Sequence, residues 1–139
     1  MSRPFKAVSG AFVAISVPDL DASTNWYEET LGLGIVKHAV SPDKKSAVTI
    51  LQGNGLSVEL IWLADAVSLS KIAPALHGSH EVQGIFKAGL FVDDLDAALT
   101  QLKSRRVSLA FDPFFDASMQ CRMFAIHDNN DNILQFFGK

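Results

Sequence analysis

Hydrophobic and polar positions follow the same order along the two halves of the chain. Each half opens on a short apolar run with β character, over residues 11–17 and 86–92. A helical pattern follows each run and begins with acidic residues, which the helix dipole favours at that end. The first helical pattern stops at Gly32, a residue type that commonly terminates helices. Each half is therefore predicted to begin with a strand and a helix.

Three further strand-like runs follow each predicted helix, separated by residues that favour turns. The runs cover residues 34–40, 46–52 and 56–62 in the first half, and 107–110, 120–127 and 132–137 in the second. The predicted turns between them lie at residues 41–43, 53–55, 112–113 and 128–131. The order βαβββ thus occurs twice within a single domain, residues 1–139: as module one (about 8–62) and as module two (about 85–138). The linker between them, residues 63–84, is predicted to hold a short helix over 70–76 that ends by Gly78.

An internal sequence repeat supports this division into modules. The segment Val17–Ser23, VPDLDAS, recurs as Val92–Ala98, VDDLDAA, 75 residues later. In this motif the chain resembles the vicinal oxygen chelate superfamily of glyoxalases, bleomycin resistance proteins and extradiol dioxygenases. Three further features share the resemblance: the pair Trp26-Tyr27, the pair Leu31-Gly32 and the segment 128–135. The resemblance covers about residues 8–138 and implies an α+β, glyoxalase-like fold, in which two tandem βαβββ modules form a curved mixed sheet around a cleft.

The composition of the chain limits which binding partners and which cellular compartment are expected. A chain of 139 residues that is 48% hydrophobic can bury a core of its own. The net charge is −3 and no run of basic residues is present, so nucleic acid is not expected as a partner. No segment approaches the ~20 apolar residues that span a bilayer, and we expect a cytoplasmic protein without a membrane partner. Cys121 is the only cysteine, which excludes an intrachain disulfide.

Strand alternation predicts which side chains face the cleft, because residues two apart share a face of a strand. Val13, Ile15 and Val17 form an apolar row that should lie beneath the first helix. The same sorting of the first, fourth, fifth and eighth strands gives the side chains on the opposite face, which we predict to bind a ligand or to carry chemistry: Phe12, Ser16, Glu59, Lys87, Phe91, Gln135 and Phe137. Apolar walls with a few polar groups are typical of a small-molecule site.

The family resemblance also implies where a metal would be held. In metal-using relatives the ligands occupy the positions that here hold Phe12, Lys87, Glu59 and Gln135. Glu59 is a good ligand and Gln135 a weak one, whereas Phe12 has no donor atom and the Lys87 ammonium repels a cation. We therefore predict no metal cofactor, with a divalent metal held by Glu59 and Gln135 as the alternative.

Three functional hypotheses follow from the predicted cleft. The first is a metal-independent protein that binds an apolar or aromatic small molecule, as bleomycin resistance proteins do, and that forms a homodimer as relatives often do. The second is a lyase or isomerase in which Lys87 and Glu59 form an ion pair across the cleft and divide acid and base roles. The third is a metal-dependent lyase or dioxygenase that uses Glu59, Gln135 and a histidine. A fourth interpretation gives these two residues no function: Lys87 extends into water and Glu59 is a solvated residue in the wall of the cleft.

The histidines offer no metal site that the sequence can identify. His77 and His80 are three residues apart in the linker, but Gly78 and Ser79 argue against a continuous helix there. His38 and His127 lie in predicted strands, and each is expected to be structural or exposed to solvent.

Overall fold

The computed structural model describes residues 10–76 and 82–139. In module one the elements are β1 (Val13–Ser16), α1 (Leu20–Leu31), β2 (Gly34–Val40), β3 (Ser46–Gly53) and β4 (Leu56–Leu63). In module two they are β5 (Ala88–Phe91), α3 (Leu95–Ser104), β6 (Ser108–Asp116), β7 (Cys121–His127) and β8 (Ile133–Gly138). The predicted order βαβββ is confirmed in both halves. None of the described helices has the length and apolar character needed to cross a membrane.

The linker helix is shorter than predicted. It is the single turn α2 (Leu69–Ile72) rather than a helix over 70–76. Pro74 explains the early end, because the residue before a proline disfavours helical geometry and proline has no backbone N–H. The predicted end at Gly78 lies outside the described residues.

Each module forms its own four-stranded mixed sheet. The strand orders are β1-β4-β3-β2 and β5-β8-β7-β6, in which β1 is parallel to β4, β5 is parallel to β8 and the other pairs are antiparallel. Val13 lies opposite Val58 in the first sheet, and Ala88 lies opposite Leu134 in the second. These positions differ by 88 − 13 = 75 and 134 − 58 = 76 residues, so the internal repeat is kept in the strand register.

The two main helices begin in the same way and end differently. Asp19 Oδ1 accepts a hydrogen bond from Ala22 N at 3.0 Å, and Asp94 Oδ1 accepts one from Ala97 N at 2.9 Å. Such N-caps each stabilise a helix by roughly 1 kcal/mol. Helix α1 ends at Gly32, whose φ of 69° favours glycine, whereas α3 ends at Arg105 with φ −96° and the left-handed residue is the next one, Arg106, with φ 59°.

The faces predicted to lie beneath the helices form the buried core. Val58 and Leu60 of β4 are fully buried, and Leu134 and Phe136 of β8 are nearly so. Val13 and Ile15 pack against this core from β1, as the alternation predicted. The other buried apolar members are Val17, Leu20, Tyr27, Leu31, Leu33, Leu51, Leu95, Leu102, Phe124 and Ile126.

The outer strand β6 differs from its prediction. A turn was expected at residues 112–113, but the strand continues through Pro113 to Asp116. Proline is tolerated there because β6 is an edge strand, whose outward N–H groups have no partner to lose. The pairing of β6 with β7 shifts register on both sides of Phe111, and the outer strand β2 has a similar shift between Ile35 and Lys37. The edge strands β2 and β6 are therefore both irregular.

A buried hydrogen bond joins the two modules. The hydroxyl of Tyr27 in α1 donates to Asp128 Oδ2 at 2.8 Å, across 101 residues of chain. Asp128 begins the β7–β8 turn, and its Oδ1 accepts from the backbone N–H groups of Asn130 and Asn132. The carboxylate thus shapes the turn and holds the helix against it.

We expect the ionisation of Tyr27 to report this contact directly, because it is the only tyrosine in the chain. Burial raises the pKa of Tyr27 far above its ordinary value, and the charge and hydrogen bond of Asp128 raise it further. Near-ultraviolet absorbance should detect no tyrosinate in the folded protein at about pH 11, where an unperturbed tyrosine is mostly ionised.

The sign of the stability effect follows from the raised pKa. The contribution is complete below the unfolded-state pKa of about 10, and the free energy of unfolding should fall as the pH rises above it. In Tyr27→Phe this part of the pH dependence should be absent. A normal tyrosinate titration with the fold intact would contradict the buried contact.

Candidate functional site

The predicted site residues lie on two surfaces, one in each module. We call open face one the side of the first sheet turned away from α1, which carries Phe12, Ser16 and Glu59. We call open face two the corresponding side of the second sheet, turned away from α3. It carries Lys87, Phe91, Gln135 and Phe137. The alternation of exposure along β1 and β5 agrees with this assignment.

Open face one forms a small, mostly apolar depression. The Phe12 side chain is 65% exposed, and Glu59 is half-buried between the core residues Val58 and Leu60. A cavity of about 180 Å³ lies between the start of β1 and the strands β3 and β4. Its lining comprises Gly10, Ala11, Phe12, Ile50, Gln52, Ser57 and Glu59.

Open face two is richer in aromatic side chains. Phe91 and Phe137 stack with their ring centroids 5.2 Å apart, although Phe91 is still 89% exposed. A cavity of about 580 Å³ extends from this stack towards the ends of β6 and β7, where Phe115, Cys121 and Arg122 line it. This volume falls within the usual range for small-molecule sites, roughly 300–1,000 Å³.

Arg122 is held in place at the edge of that cavity. Its guanidinium makes two hydrogen bonds to the Asp96 carboxylate, at 2.9 and 3.1 Å. The hydrogen bonds and charge of Arg122 lower the pKa of Asp96, so the carboxylate remains ionised. The pair is exposed to solvent and therefore orients the arginine more than it stabilises the fold.

Gln135 is the most unusual polar group on open face two. The side chain is only 2% exposed, and its Nε2 donates to the Met123 sulfur at 3.0 Å. Its Oε1 is buried and has no hydrogen-bond partner. Gln135 is paired across the parallel strands with Gly89, and a Cβ at Gly89 would lie 3.8 Å from the ring of Phe137. An unpaired acceptor thus lies beside the aromatic stack.

The structure does not bring Lys87 and Glu59 together. Lys87 lines a cavity of about 250 Å³ between β1 and β5, together with Ser16, and its Nζ lies 5.4 Å from the ring centroid of Phe86. Glu59 lines the separate depression beside Phe12. Within residues 10–76 and 82–139 no ion pair joins the two side chains, so the expected pairing is wrong for a single chain. Strand alternation predicts on which face of the sheet a side chain lies, but it does not predict where the charged group of a long side chain is placed.

The residues at the four family positions do not fit a divalent metal. Glu59 supplies the only carboxylate among them, Phe12 supplies no donor and Lys87 carries a positive charge. The Gln135 amide is already oriented by Met123. In the part of the chain that the structure describes, no three His, Cys, Asp or Glu side chains are grouped closely enough to hold an ion.

The two histidines within the described ranges make local contacts. The Nδ1 atom of His38 lies 2.9 Å from Thr49 Oγ1 on the neighbouring strand. The corresponding atom of His127 lies 3.4 Å from the backbone oxygen of Asp131. His77 and His80 lie outside the described residues.

Several residues of open face two were not predicted. Met123 orients Gln135, and Phe114 lies opposite Met123 on the same face. Phe115 and Arg122 are paired on the other face, where Arg122 bonds to Asp96 of α3, and they line the far end of the cavity. They belong to β6 and β7, whose pairing runs through register shifts that period-two alternation does not reveal. The sequence feature that could have indicated these residues is the density of aromatic side chains around Phe114 and Phe115.

Comparisons with known proteins agree on the family and fold. The model of the Glyoxalase/Bleomycin resistance protein/Dioxygenase superfamily matches residues 11–136. A glyoxalase family protein from Enterococcus faecalis superposes with a TM-score of 0.76 at 17% identity, covering 96% of this chain and 98% of that one. A glyoxylase/bleomycin resistance protein/dioxygenase domain from Frankia sp. EAN1pec gives 0.73 at 18% identity, with 95% and 93% covered. The trypanothione-dependent glyoxalase I of Leishmania major gives 0.66 at 19% identity, with 91% and 84% covered.

These structural likenesses, all below 25% identity, establish the fold alone. No protein with a curated description matches the sequence.

The unpaired Gln135 acceptor predicts an unusual effect of substitution. Replacing the amide by an apolar side chain of similar size removes a buried group that lacks its hydrogen bond. We expect Gln135→Met to raise the free energy of unfolding by about 1–3 kcal/mol in urea denaturation. Gln83→Met, at an exposed position, should change it by less than about 0.5 kcal/mol. A clear loss of stability in Gln135→Met would show that the amide is satisfied in solution.

Proposed function

Because the chain belongs to the Glyoxalase/Bleomycin resistance protein/Dioxygenase superfamily, we propose that it binds an aromatic small molecule on open face two without using a metal. The observation that carries this proposal is the buried, unpaired Gln135 Oε1 beside the stacked rings of Phe91 and Phe137. An aromatic ligand with one hydrogen-bond donor matches both features.

The aromatic stack provides the apolar part of the interaction. Phe91 is largely exposed in the free chain, so a planar ligand can cover its ring and remove apolar surface from water. Covering one such side chain contributes roughly 1.5–3 kcal/mol. Stacked or edge-to-face contact with the rings adds about 0.5–1.5 kcal/mol when the geometry is favourable.

Gln135 provides selectivity. A ligand that donates an O–H or N–H to Oε1 removes a penalty present in the free protein, whereas a ligand without a donor leaves that penalty in place. A hydrophobic wall alone makes little distinction between ligands that differ only in such a donor group. Because Oε1 is buried in the free chain, side chains around it have to shift for a ligand to reach the acceptor.

The remaining predicted residues complete the proposed site from open face one. Phe12 offers a second exposed ring and Glu59 a hydrogen-bonding group that lines the same depression, whereas Ser16 lies at the other end of β1. Lys87 lies at the border between the faces, where it shares a cavity with Ser16. An acid–base enzyme has no comparable support, because Lys87 and Glu59 line separate cavities.

A homodimer forms part of the proposal. The open faces expose the rings of Phe12, Phe91 and Phe114, and an exposed apolar surface of this kind is typical of an interaction site. Packing the open faces of two copies together would cover these rings and enclose the ligand. Light scattering after size exclusion should give twice the mass of one chain, and Phe114→Ser should shift the equilibrium towards single chains.

The ligand proposal is tested with two probes that differ only in a donor. We expect 1-naphthol to bind in isothermal titration with EDTA present, more tightly than naphthalene. Gln135→Met should weaken 1-naphthol binding by roughly three- to tenfold, the effect of one hydrogen bond, and leave naphthalene binding unchanged. Gln83→Met should affect neither probe.

Two outcomes would contradict the proposal. Equal loss of both probes in Gln135→Met would show that the residue acts through packing rather than as an acceptor. Stoichiometric binding of zinc, manganese, iron or nickel, with 1-naphthol binding that depends on the ion, would show that a metal holds the ligand.

A further inference from the structure

The internal repeat allows the two contacts between the modules to be compared residue by residue. Helix positions in module one correspond to positions 75 residues later in module two. Thr30 and Arg105 are such a pair, and they touch: Arg105 Nη1 donates to the Thr30 backbone oxygen at 2.6 Å. A contact between equivalent positions places the approximate twofold axis of the chain between the ends of α1 and α3.

On one side of this axis, α1 packs tightly against module two. Tyr27 donates its hydroxyl hydrogen to Asp128, and the Ser23 hydroxyl accepts hydrogen bonds from the amides of Asn129 and Asn130. Tyr27 and Ser23 are both fully buried. The β7–β8 turn therefore fills the space beside α1.

On the other side of the axis, a cavity separates the equivalent helix, α3, from the equivalent turn between β3 and β4. Helix α3 carries Ala98 and Leu102 at the positions of Ser23 and Tyr27, so it has neither the hydroxyls nor the large ring. The β3–β4 turn is also shorter, with four residues between the paired Gln52 and Ser57, against five between His127 and Ile133. A cavity of about 610 Å³ remains between α3 and this turn.

The cavity has an apolar interior and an acidic mouth. Its apolar side chains come from both modules: Leu31, Leu33, Leu56, Leu90, Leu102 and Phe136. Asp93 and Asp94 lie at one end beside the exposed ring of Phe91. Asp94 uses one carboxylate oxygen as the helix cap, whereas Asp93 makes no hydrogen bond among the described residues. Arg105, at the other end, already donates to Thr30.

We propose that this cavity is a second small-molecule site, on the helix side of the sheets, for an organic cation with an aromatic or apolar body. The volume suits a drug-sized molecule, and the body would contact the leucine side chains and Phe136. The cation would lie beside the Asp93 carboxylate, at the acidic end of the cavity. The two carboxylates outnumber the single guanidinium, so the charge balance favours a cation over an anion.

Three probes with one ring system test the charge class. In isothermal titration with excess 1-naphthol present to occupy open face two, 1-naphthylmethylamine should bind at one site per chain more tightly than 1-naphthalenemethanol, and 1-naphthoate should bind most weakly. Asp93→Asn should reduce the affinity for the amine by about two- to fivefold and leave that for the alcohol unchanged, since an exposed carboxylate contributes modestly. Asp112→Asn is the matched control at another exposed acidic position.

Filling the cavity tests its location. Gln101 is an exposed residue of the lining, and its equivalent in α1 is Trp26, which packs edge-on against Tyr27. Gln101→Trp therefore gives α3 a residue that the fold already accepts in α1. It should weaken the amine and the alcohol alike, on the order of tenfold, because the indole takes up much of the space. Thr100→Trp, one position away and outside the lining, should weaken neither.

The two sites are distinguishable in the same titrations. Excess 1-naphthol should leave one site per chain for 1-naphthylmethylamine, and Gln101→Trp should not change 1-naphthol binding. Absence of amine binding in excess 1-naphthol, or indifference of the remaining amine site to Gln101→Trp, would each overturn the proposal. An amine that binds no better than the naphthoate would overturn the assignment of a cation.

Discussion

The hydrogen bond from Tyr27 to Asp128 is the contact on which the arrangement of the two modules depends. It is buried, it joins segments 101 residues apart, and its acceptor also organises the turn that packs against α1. A buried phenol or carboxylate without a partner would cost free energy, so each group needs the other. The helix of module one is therefore fixed to module two by a polar interaction within an otherwise apolar core.

A comparison of the two contacts between the modules explains why the halves of a repeated fold can have different roles. Module one supplies the helix that makes the tight contact, and module two supplies the longer turn that receives it. At the equivalent position across the axis, smaller and apolar side chains leave space between Leu102 and the β3–β4 turn. The two open faces also differ from each other, because only open face two carries the Phe91–Phe137 stack and the unpaired Gln135. Of the two helix–turn contacts, one packs the protein and the other leaves a cavity.

Much of the fold could be predicted because local signals and the repeat agreed. The caps at Asp19 and Asp94, the stop at Gly32 and the alternation in β1 and β4 are encoded within a few residues each. The continuation of β6 through Pro113 could not be predicted, because it depends on that strand being at an edge of the sheet. The assignment of Gln135 to an open face came from alternation, but the partner of its amide, Met123, comes from a neighbouring strand. The Tyr27–Asp128 contact and the separation of Lys87 from Glu59 depend on how the modules meet, which no local pattern records.

The irregular outer strands have a consequence for how the protein behaves at high concentration. A regular, unpaired edge strand is a template on which another chain can add a strand and begin a fibril. Here β6 contains Pro113 and register shifts around Phe111, and β2 is interrupted between Ile35 and Lys37. These interruptions twist the backbone away from the straight geometry that strand addition needs. The chain can therefore expose several phenylalanine rings without offering β2 or β6 as a regular edge on which copies could polymerise.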